Sequence, residues 1–208
     1  MKEKEEQRLI NLKQYECELR SKGYKYICGI DEAGRGPLAG PVVVASVIMP
    51  ENSMIEGVND SKKVSEKKRE KLYEEITKEA ISYGVAIIDQ NEIDRINILN
   101  ATKHGLTTSI KELKVKPDII LVDALTKIDT CGIPYNSIIK GDAKSYSIAA
   151  ASIIAKVTRD RIMRQWDEVY PQYGFAKHKG YGTAAHIAAI KENGICPLHR
   201  LSFVKKFI

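Results

Sequence analysis

Along its 208 residues, the chain alternates short, nearly continuous apolar runs with longer stretches whose apolar residues recur at helical spacing. The short runs are rich in β-branched residues and predict strands, whereas the spaced stretches predict helices that pack through one face. The predicted strands cover 25–31, 42–49, 83–89, 119–123 and 137–140. The predicted helices cover 1–22, 65–80, 97–114 and 148–166. This order predicts an α/β protein with a mixed sheet and flanking helices.

The chain is long enough to form one well-buried domain. We place that domain at 25–166, between a charged N-terminal helical extension over 1–24 and a C-terminal helical extension over 167–208 that glycine and proline interrupt. No apolar run approaches the length of a membrane span, and the charged N-terminus does not resemble a targeting peptide. We therefore expect a cytoplasmic protein. Four widely spaced cysteines argue against a zinc site or a disulfide framework.

Four carboxylates adjoin apolar segments and form the first candidate site. Asp31 and Glu32 close the apolar run of one predicted strand, Asp123 ends another, and Asp142 lies in a turn before the last predicted helix. Carboxylate oxygens are the ligands that Mg²⁺ and Mn²⁺ select, and four together would repel one another without a cation. Adjacent strand residues point to opposite faces, so we expect the chain to leave strand geometry at Asp31 and Glu32. A single such carboxylate is also an ordinary strand cap or turn residue.

A glycine-rich turn, Gly34-Arg35-Gly36, follows the first carboxylate pair directly. Its glycines would let the backbone approach a ligand closely, and Arg35 would project between them as a planar donor. The turn does not read as a dinucleotide-binding loop. Pro37 and Pro41 stand where the phosphate-binding helix would have to begin, and a valine-rich strand follows them.

Basic residues are concentrated in the C-terminal third of the chain. Residues 140–208 contain 12 Lys and Arg against 5 Asp and Glu, whereas the preceding residues are balanced to within one charge. Within this part, the segment 175–183 combines Tyr181 with Lys177, Lys179 and flexible glycines. Such a surface attracts phosphate backbones and can stack a sugar or a base, although the same charges also fit a solvated helix face.

Two further groups of polar residues are weaker candidates. Lys62 and Lys63 are candidates for phosphate contact, and an ordinary solvated lysine is the alternative for each. The histidines lack the spacing of zinc ligands, so we expect each to be polar surface or a substrate contact; they are His104, His178, His186 and His199.

Taken together, these segments resemble the bacterial ribonuclease HII family. The opening block Gly29–Val42 carries the first carboxylate pair and the glycine-rich turn. The likeness then follows the order of the family over roughly residues 25–204. The other matching blocks are 59–63, 121–124, 140–142, 150–160, 171–175, 178–183 and 199–203.

The resemblance implies a ribonuclease H-like fold whose C-terminal helical extension helps to clamp a duplex. It implies endonucleolytic hydrolysis of RNA in RNA–DNA hybrids, and incision on the 5′ side of single ribonucleotides in DNA that leaves 3′-hydroxyl and 5′-phosphate ends. The Gly34-Arg35-Gly36 turn falls where the family senses the ribose 2′-hydroxyl, and Tyr181 falls where a tyrosine stacks on the neighbouring deoxyribose. The catalytic and metal-holding carboxylates of the family fall on Asp31, Glu32, Asp123 and Asp142.

The implied cofactor is a divalent metal, Mn²⁺ or Mg²⁺, with two ions acting in hydrolysis. The implied partners are an RNA–DNA hybrid and duplex DNA that contains ribonucleotides, and we expect a monomer. Two other functions stay open on the residues alone. One is a different nuclease or strand-transfer enzyme of the same fold that cuts DNA without ribose. The other is a nucleic-acid-binding module whose carboxylates only cap strands.

Overall fold

The apolar runs of the chain form five strands in the computed structural model, which describes residues 2–208. The strands are β1 (Ile27–Ala33), β2 (Val42–Ile48), β3 (Ser82–Ile88), β4 (Ile119–Asp123) and β5 (Tyr135–Ile138). They form one sheet in the order β3-β2-β1-β4-β5. Strands β1, β2 and β3 pair antiparallel, whereas β4 runs parallel to β1 and β5 runs parallel to β4. The mixed sheet predicted from the sequence is therefore confirmed.

The helices surround this sheet and continue beyond it at both ends of the chain. Over residues 2–208 they are α1 (Glu3–Leu12), α2 (Gln14–Ser21), α3 (Glu66–Glu79), α4 (Gln90–Ile96), α5 (Ile98–Lys111), α6 (Tyr146–Val169), α7 (Phe175–His178), α8 (Ala184–Asn193) and α9 (Leu201–Val204). Three of these, α1, α2 and α4, were not predicted as they stand. The helix expected over 1–22 is broken at Lys13, and α4 precedes the helix expected over 97–114. The division into a central domain and two extensions remains a prediction.

Strand β1 continues two residues farther than the sequence suggested. It pairs with β2 in the register Asp31–Ala45, Glu32–Val44 and Ala33–Val43. The expectation that the chain leaves strand geometry at Asp31 and Glu32 is therefore wrong. The ladder with β2 holds both residues in extended backbone, and the turn begins only at Gly34.

Helix α6 packs on β1 at backbone distance. A Cβ atom on Gly29 would lie 2.1 Å from the carbonyl carbon of Ser147 and 2.3 Å from the nitrogen of Ile148. The adjoining turn of α6, Ala149–Ala151, is fully buried and consists of alanine alone. Small residues on both elements allow this approach, and it fixes the start of α6 against the middle of β1.

The sheet is covered on both faces. On one face, Leu9 of α1, Leu72 of α3 and Ala150 of α6 share one core with β2. On the other face, Leu106 and Ile110 of α5 pack on β1, β2 and β4. The C-terminal extension is present and has its own apolar cluster, which joins the end of α6. None of the helices within residues 2–208 has the length and hydropathy that crossing a bilayer requires.

The close packing of β1 on α6 predicts a strong effect of Gly29→Ala. The new methyl overlaps backbone atoms that have no free rotation, so the free energy of unfolding should fall by about 3 kcal/mol or more. Gly23→Ala is the matched control. Among residues 2–208, no atom lies within 4 Å of the new methyl at Gly23. The free energy of unfolding should therefore fall only by the cost of a left-handed backbone, about 1 kcal/mol. Equal losses of stability for the two variants in urea unfolding would contradict this account.

Candidate active site

The sheet places Asp31 and Asp123 side by side on the neighbouring strands β1 and β4. Ile30 of β1 is in register with Val122 of β4, so the next residue of each parallel strand is one of the two carboxylates. Asp31 is 5% exposed, and Asp123 is half-buried at the end of β4. Glu32 is the following residue of β1, and its backbone N–H donates to Asp31 Oδ1 at 2.8 Å.

Asp142 comes to this site on a single turn of 3₁₀ helix, Gly141–Ala143, between β5 and α6. The backbone N–H of Gly141 donates to Asp123 Oδ1 at 2.7 Å, which ties the turn to the end of β4. Asp142 is 6% exposed, and the Lys62 ammonium lies 3.5 Å from its Oδ2. Three separate segments therefore supply the four carboxylates predicted from the sequence.

Burial and mutual repulsion raise the pKa values of three of these acids. Burial, with the charges of Glu32 and Asp123, raises the pKa of Asp31 well above its usual range. Burial also raises the pKa of Glu32, against the opposing effect of Arg35, whose guanidinium lies 3.4 Å away. The pKa of Asp142 is raised by burial and by Asp60, against the opposing effect of the Lys62 ammonium. Asp60 is a fifth acid beside the site.

The donor set has the chemistry that a hard divalent cation requires, because it consists of carboxylate oxygens whose repulsion a cation would relieve. The arrangement is not a ready-made chelate. Within residues 2–208, no three His, Cys, Asp or Glu side chains converge closely enough to hold an ion as they stand. Adjacent side chains of β1 leave on opposite faces, so ion binding requires the carboxylate side chains to rotate toward one another.

The glycine-rich turn begins where β1 ends. Gly34 has φ +101°, a backbone conformation that disfavours any residue with a side chain. A Cβ atom there would also lie 2.1 Å from Nε of Arg159. Gly36 differs, because a Cβ atom on it would meet nothing closer than 3.9 Å, and that nearest atom belongs to Tyr181. Gly34 is thus required by the fold, whereas Gly36 leaves open space beside Tyr181.

Two fully buried arginines donate hydrogen bonds to backbone oxygens in and next to the turn. Arg159 of α6 donates to the backbone oxygens of Pro41, Ala39 and Lys179 at 2.9 to 3.1 Å. Arg200 donates to the backbone oxygens of Gly40 at 2.9 Å, Arg35 at 3.0 Å and Gly34 at 2.6 Å. In the described chain, neither guanidinium lies within 4 Å of a carboxylate oxygen.

These arginines carry buried charge beneath the turn. Burial lowers the pKa of Arg159 to about 10 and that of Arg200 to about 9, so both remain protonated at neutral pH. Each charged fork therefore binds three carbonyl groups at once. Arg200 fixes the turn itself, and Arg159 fixes the segment 39–41 that follows it. Sequence reasoning missed both residues. Helical spacing offered a signal for Arg159, since it lies seven positions after the buried Ser152 on the inner face of α6.

The C-terminal extension carries Tyr181 to the turn. Leu38 donates its backbone N–H to Gly180 at 2.8 Å, and Gly40 donates its own to Leu198 at 2.9 Å. Tyr181 is 42% exposed and lies beside Gly36. A cleft of about 220 Å³ results, with Ser61, Ser152 and Lys156 as lining residues that the sequence did not single out. The predicted residues that line it are Glu32, Gly34, Arg35, Gly36, Lys62 and Tyr181.

Of the four lysines singled out from the sequence, the structure brings only Lys62 to this cleft. Lys63 is exposed and lines a different depression, beside Glu5 and Arg8. Lys177 is exposed on α7. Lys179 is buried, and its ammonium donates to the backbone oxygen of Ala176 and lies 3.8 Å from Glu66.

The basic surplus of the C-terminal third is less available than a charge count suggests. Arg159 and Arg200 are buried, as described above. Arg161 lies 2.6 Å from Glu70, and Arg164 pairs with Glu66 and with Glu70 of α3. Much of this charge therefore holds α6 to the turn and to α3 instead of facing solvent.

Two of the histidines, His186 and His199, correct the expectation of polar surface or a substrate contact. His186 and His199 are buried, with their Nε2 atoms 3.1 Å apart, and the ring of His178 stacks on His186 at 4.4 Å. His186 Nδ1 lies 3.0 Å from the backbone oxygen of Tyr181. Burial lowers the pKa of His186 to about 4, so the ring is neutral at pH 7. The cluster supports the segment that carries Tyr181.

Comparison with known proteins identifies the family of the chain. A family model described as ribonuclease HII matches residues 28–206. A ribonuclease HII of Acetivibrio thermocellus is 60% identical over 206 residues, which cover 99% of this chain and 80% of that protein. An identity of this level over nearly the full chain shows common family membership.

Solved structures share the fold. A ribonuclease H2 from Pyrococcus horikoshii superposes with a TM-score of 0.74 at 28% identity, over 87% of this chain and 96% of that one. The RNase HII in a complex with PCNA from Archaeoglobus fulgidus gives a TM-score of 0.74 at 31% identity, over 86% of this chain and 94% of that one. The family match, the sequence identity and the shared fold agree: the chain belongs to the ribonuclease HII family and is a ribonuclease H-type nuclease, a phosphodiester hydrolase.

Proposed function

We propose that this enzyme hydrolyses the RNA strand of RNA–DNA hybrids and incises duplex DNA on the 5′ side of single embedded ribonucleotides. The products would carry 3′-hydroxyl and 5′-phosphate ends. The observation that supports this proposal most directly is the shared cleft. It joins Glu32 of the carboxylate cluster to the Gly34-Arg35-Gly36 turn and to Tyr181. Family membership supports the hybrid as a substrate.

The carboxylates are proposed to hold the metal. Asp31, Glu32 and Asp123 would bind it, and Asp142 would complete or position a second ion. Two divalent cations, Mg²⁺ or Mn²⁺, supply the acidity that activates a water and stabilises the leaving oxygen of a phosphodiester. Lys62 is exposed and its ammonium lies 3.5 Å from Asp142 Oδ2, so it is suited to contact a phosphate beside these acids.

The turn is proposed to distinguish ribose from deoxyribose. The 2′-hydroxyl is the one group that separates RNA from DNA at a nucleotide, and close backbone approach is a direct way to contact it. Gly36 supports this role, because it is exposed and leaves open space beside Tyr181. Tyr181 would then stack on the neighbouring deoxyribose, and Arg35 would donate to the substrate from between the two glycines. Lys63, Lys177 and Lys179 remain weaker proposals for phosphate contact.

The first prediction concerns Asp31→Asn and Asp123→Asn. Each variant should lose cleavage of a ribonucleotide-containing duplex by about 10³-fold or more, since each removes a charged oxygen ligand. Binding of the duplex should persist, because removing a negative charge does not weaken attraction for phosphates. Labelled-duplex cleavage and fluorescence anisotropy measure the two properties. Asp129→Asn, an exposed carboxylate that binds only the Cys131 N–H, is the control. Unchanged turnover in both site variants would refute this metal site.

The second prediction concerns Gly36→Ala. The free protein has room for the new methyl, so the melting temperature should be nearly unchanged. The substrate backbone should lose close contact, so kcat/KM on a single-ribonucleotide duplex should fall by about 100-fold. Gly34→Ala is the contrasting variant and should lose stability, because its methyl meets Arg159. Wild-type kcat/KM for Gly36→Ala would rule out ribose sensing by close backbone approach at this glycine.

The third prediction concerns stability without metal. The pKa of Asp31 is raised in the folded state, so folding favours its protonated form and stability falls as pH rises from about 3.9 through the folded pKa. Asp31→Asn removes this penalty. In EDTA it should be more stable than wild type at neutral pH, by about 1.4 kcal/mol for each unit of pKa shift. The difference should vanish near pH 4, and urea unfolding measures it. A variant less stable than wild type at neutral pH would contradict the repulsion account.

A further inference from the structure

The N-terminal helices reach the candidate active site through one buried carboxylate. Glu16 of α2 is 3% exposed, and its Oε1 accepts the hydroxyl of Ser145 at 2.6 Å and the backbone N–H of Ser147 at 2.8 Å. Ser145 is the N-cap of α6, and its hydroxyl in turn accepts the N–H of Ile148. Leu19, one turn later on α2, packs in the same apolar cluster as Ile148. Helix α2 is thus fixed to the start of α6.

From Ser145 the connection continues to two of the candidate catalytic acids. The backbone N–H of Ser145 donates to the oxygen of Gly141 at 2.8 Å, which closes the turn that contains Asp142. Gly141 donates its own N–H to Asp123 Oδ1 at 2.7 Å. An unbroken series of hydrogen bonds therefore runs from Glu16 through the turn to Asp123, with Asp142 inside the turn.

The turn needs such external support. Lys140, which precedes it, has φ +58°, a left-handed conformation that residues with side chains rarely adopt. Glu16 also keeps Oε2 buried with no hydrogen-bond partner, so both of its bonds to this region are made through one oxygen. A group that only solubilised the N-terminus would not bury a carboxylate in this way.

We propose that Glu16 is a positioning residue for the reaction, which holds the Asp142 turn and the Asp123 carboxylate through Ser145. This role rests on the proposed function of those two acids. It gives the N-terminal extension a task in catalysis without any contact to the substrate. The change expected on removing Glu16 is therefore in kcat, with KM nearly unchanged.

Five variants test this role on a single-ribonucleotide duplex at a temperature where all are folded. Glu16→Ala and Ser145→Ala should each lower kcat by about 10-fold, with KM within about twofold. The double variant should lose no more than either single variant, because both act in one series of bonds. Glu16→Gln should restore most of the loss, since the amide oxygen can accept the same two hydrogen bonds. Leu9→Ala, fully buried on α1 outside this series, should keep kcat within about twofold.

A second readout is independent of activity. Hydrogen exchange of the Gly141 amide should be about 10-fold faster in Glu16→Ala than in Leu9→Ala, because only the former loosens the turn. A kcat for Glu16→Ala equal to that of Leu9→Ala, or additive losses in the double variant, would overturn the role. An inactive wild-type enzyme would instead refute the proposed function, and the exchange measurement would still report whether Glu16 holds the turn.

Discussion

The backbone contact between β1 and α6 is the constraint on which the rest of the structure depends. Gly29 permits it, because any side chain there would overlap Ser147. Once the helix is seated on the central strand, its start lies against Gly29. Farther along, Ser152 lies beside Asp31, and Arg159 reaches the segment that follows the turn. Glu32 and the turn thereby share one cleft with Ser152 and Tyr181, which come from segments far away in the chain.

The residues around this cleft form two parts that differ in charge. On one side, buried acids repel one another, which favours a divalent cation and makes the metal-free site costly to the fold. On the other side, Arg200 donates to the carbonyls of the turn and Arg159 to those of the segment that follows it. Together they fix this backbone, while the Arg35 side chain stays exposed. Carboxylates that can rotate beside a turn with a fixed backbone suit the proposed function, in which the enzyme binds ions and discriminates one hydroxyl group.

The sequence predicted the sheet and its acids because each strand is a compact apolar run and each acid adjoins one. It misjudged β1, since the pairing with β2 that extends the strand through Glu32 is a long-range contact. It overlooked Arg159, Arg200 and Glu16, because a charged residue gives no local sign that it is buried. It also overestimated the basic surface, for only packing shows that Arg161 and Arg164 are paired with α3. The cleft itself depends on the C-terminal extension folding back onto the turn, which no local pattern encodes.

The most direct test of the account compares two labelled duplexes, one of DNA alone and one with a single ribonucleotide, each with Mg²⁺, Mn²⁺ or EDTA. We expect a metal-dependent nick on the 5′ side of the ribonucleotide and no cut in the all-DNA duplex. Cutting of both duplexes would keep the metal site and contradict ribose sensing by the turn. Binding without any cutting would contradict the central claim that these acids form a hydrolytic site.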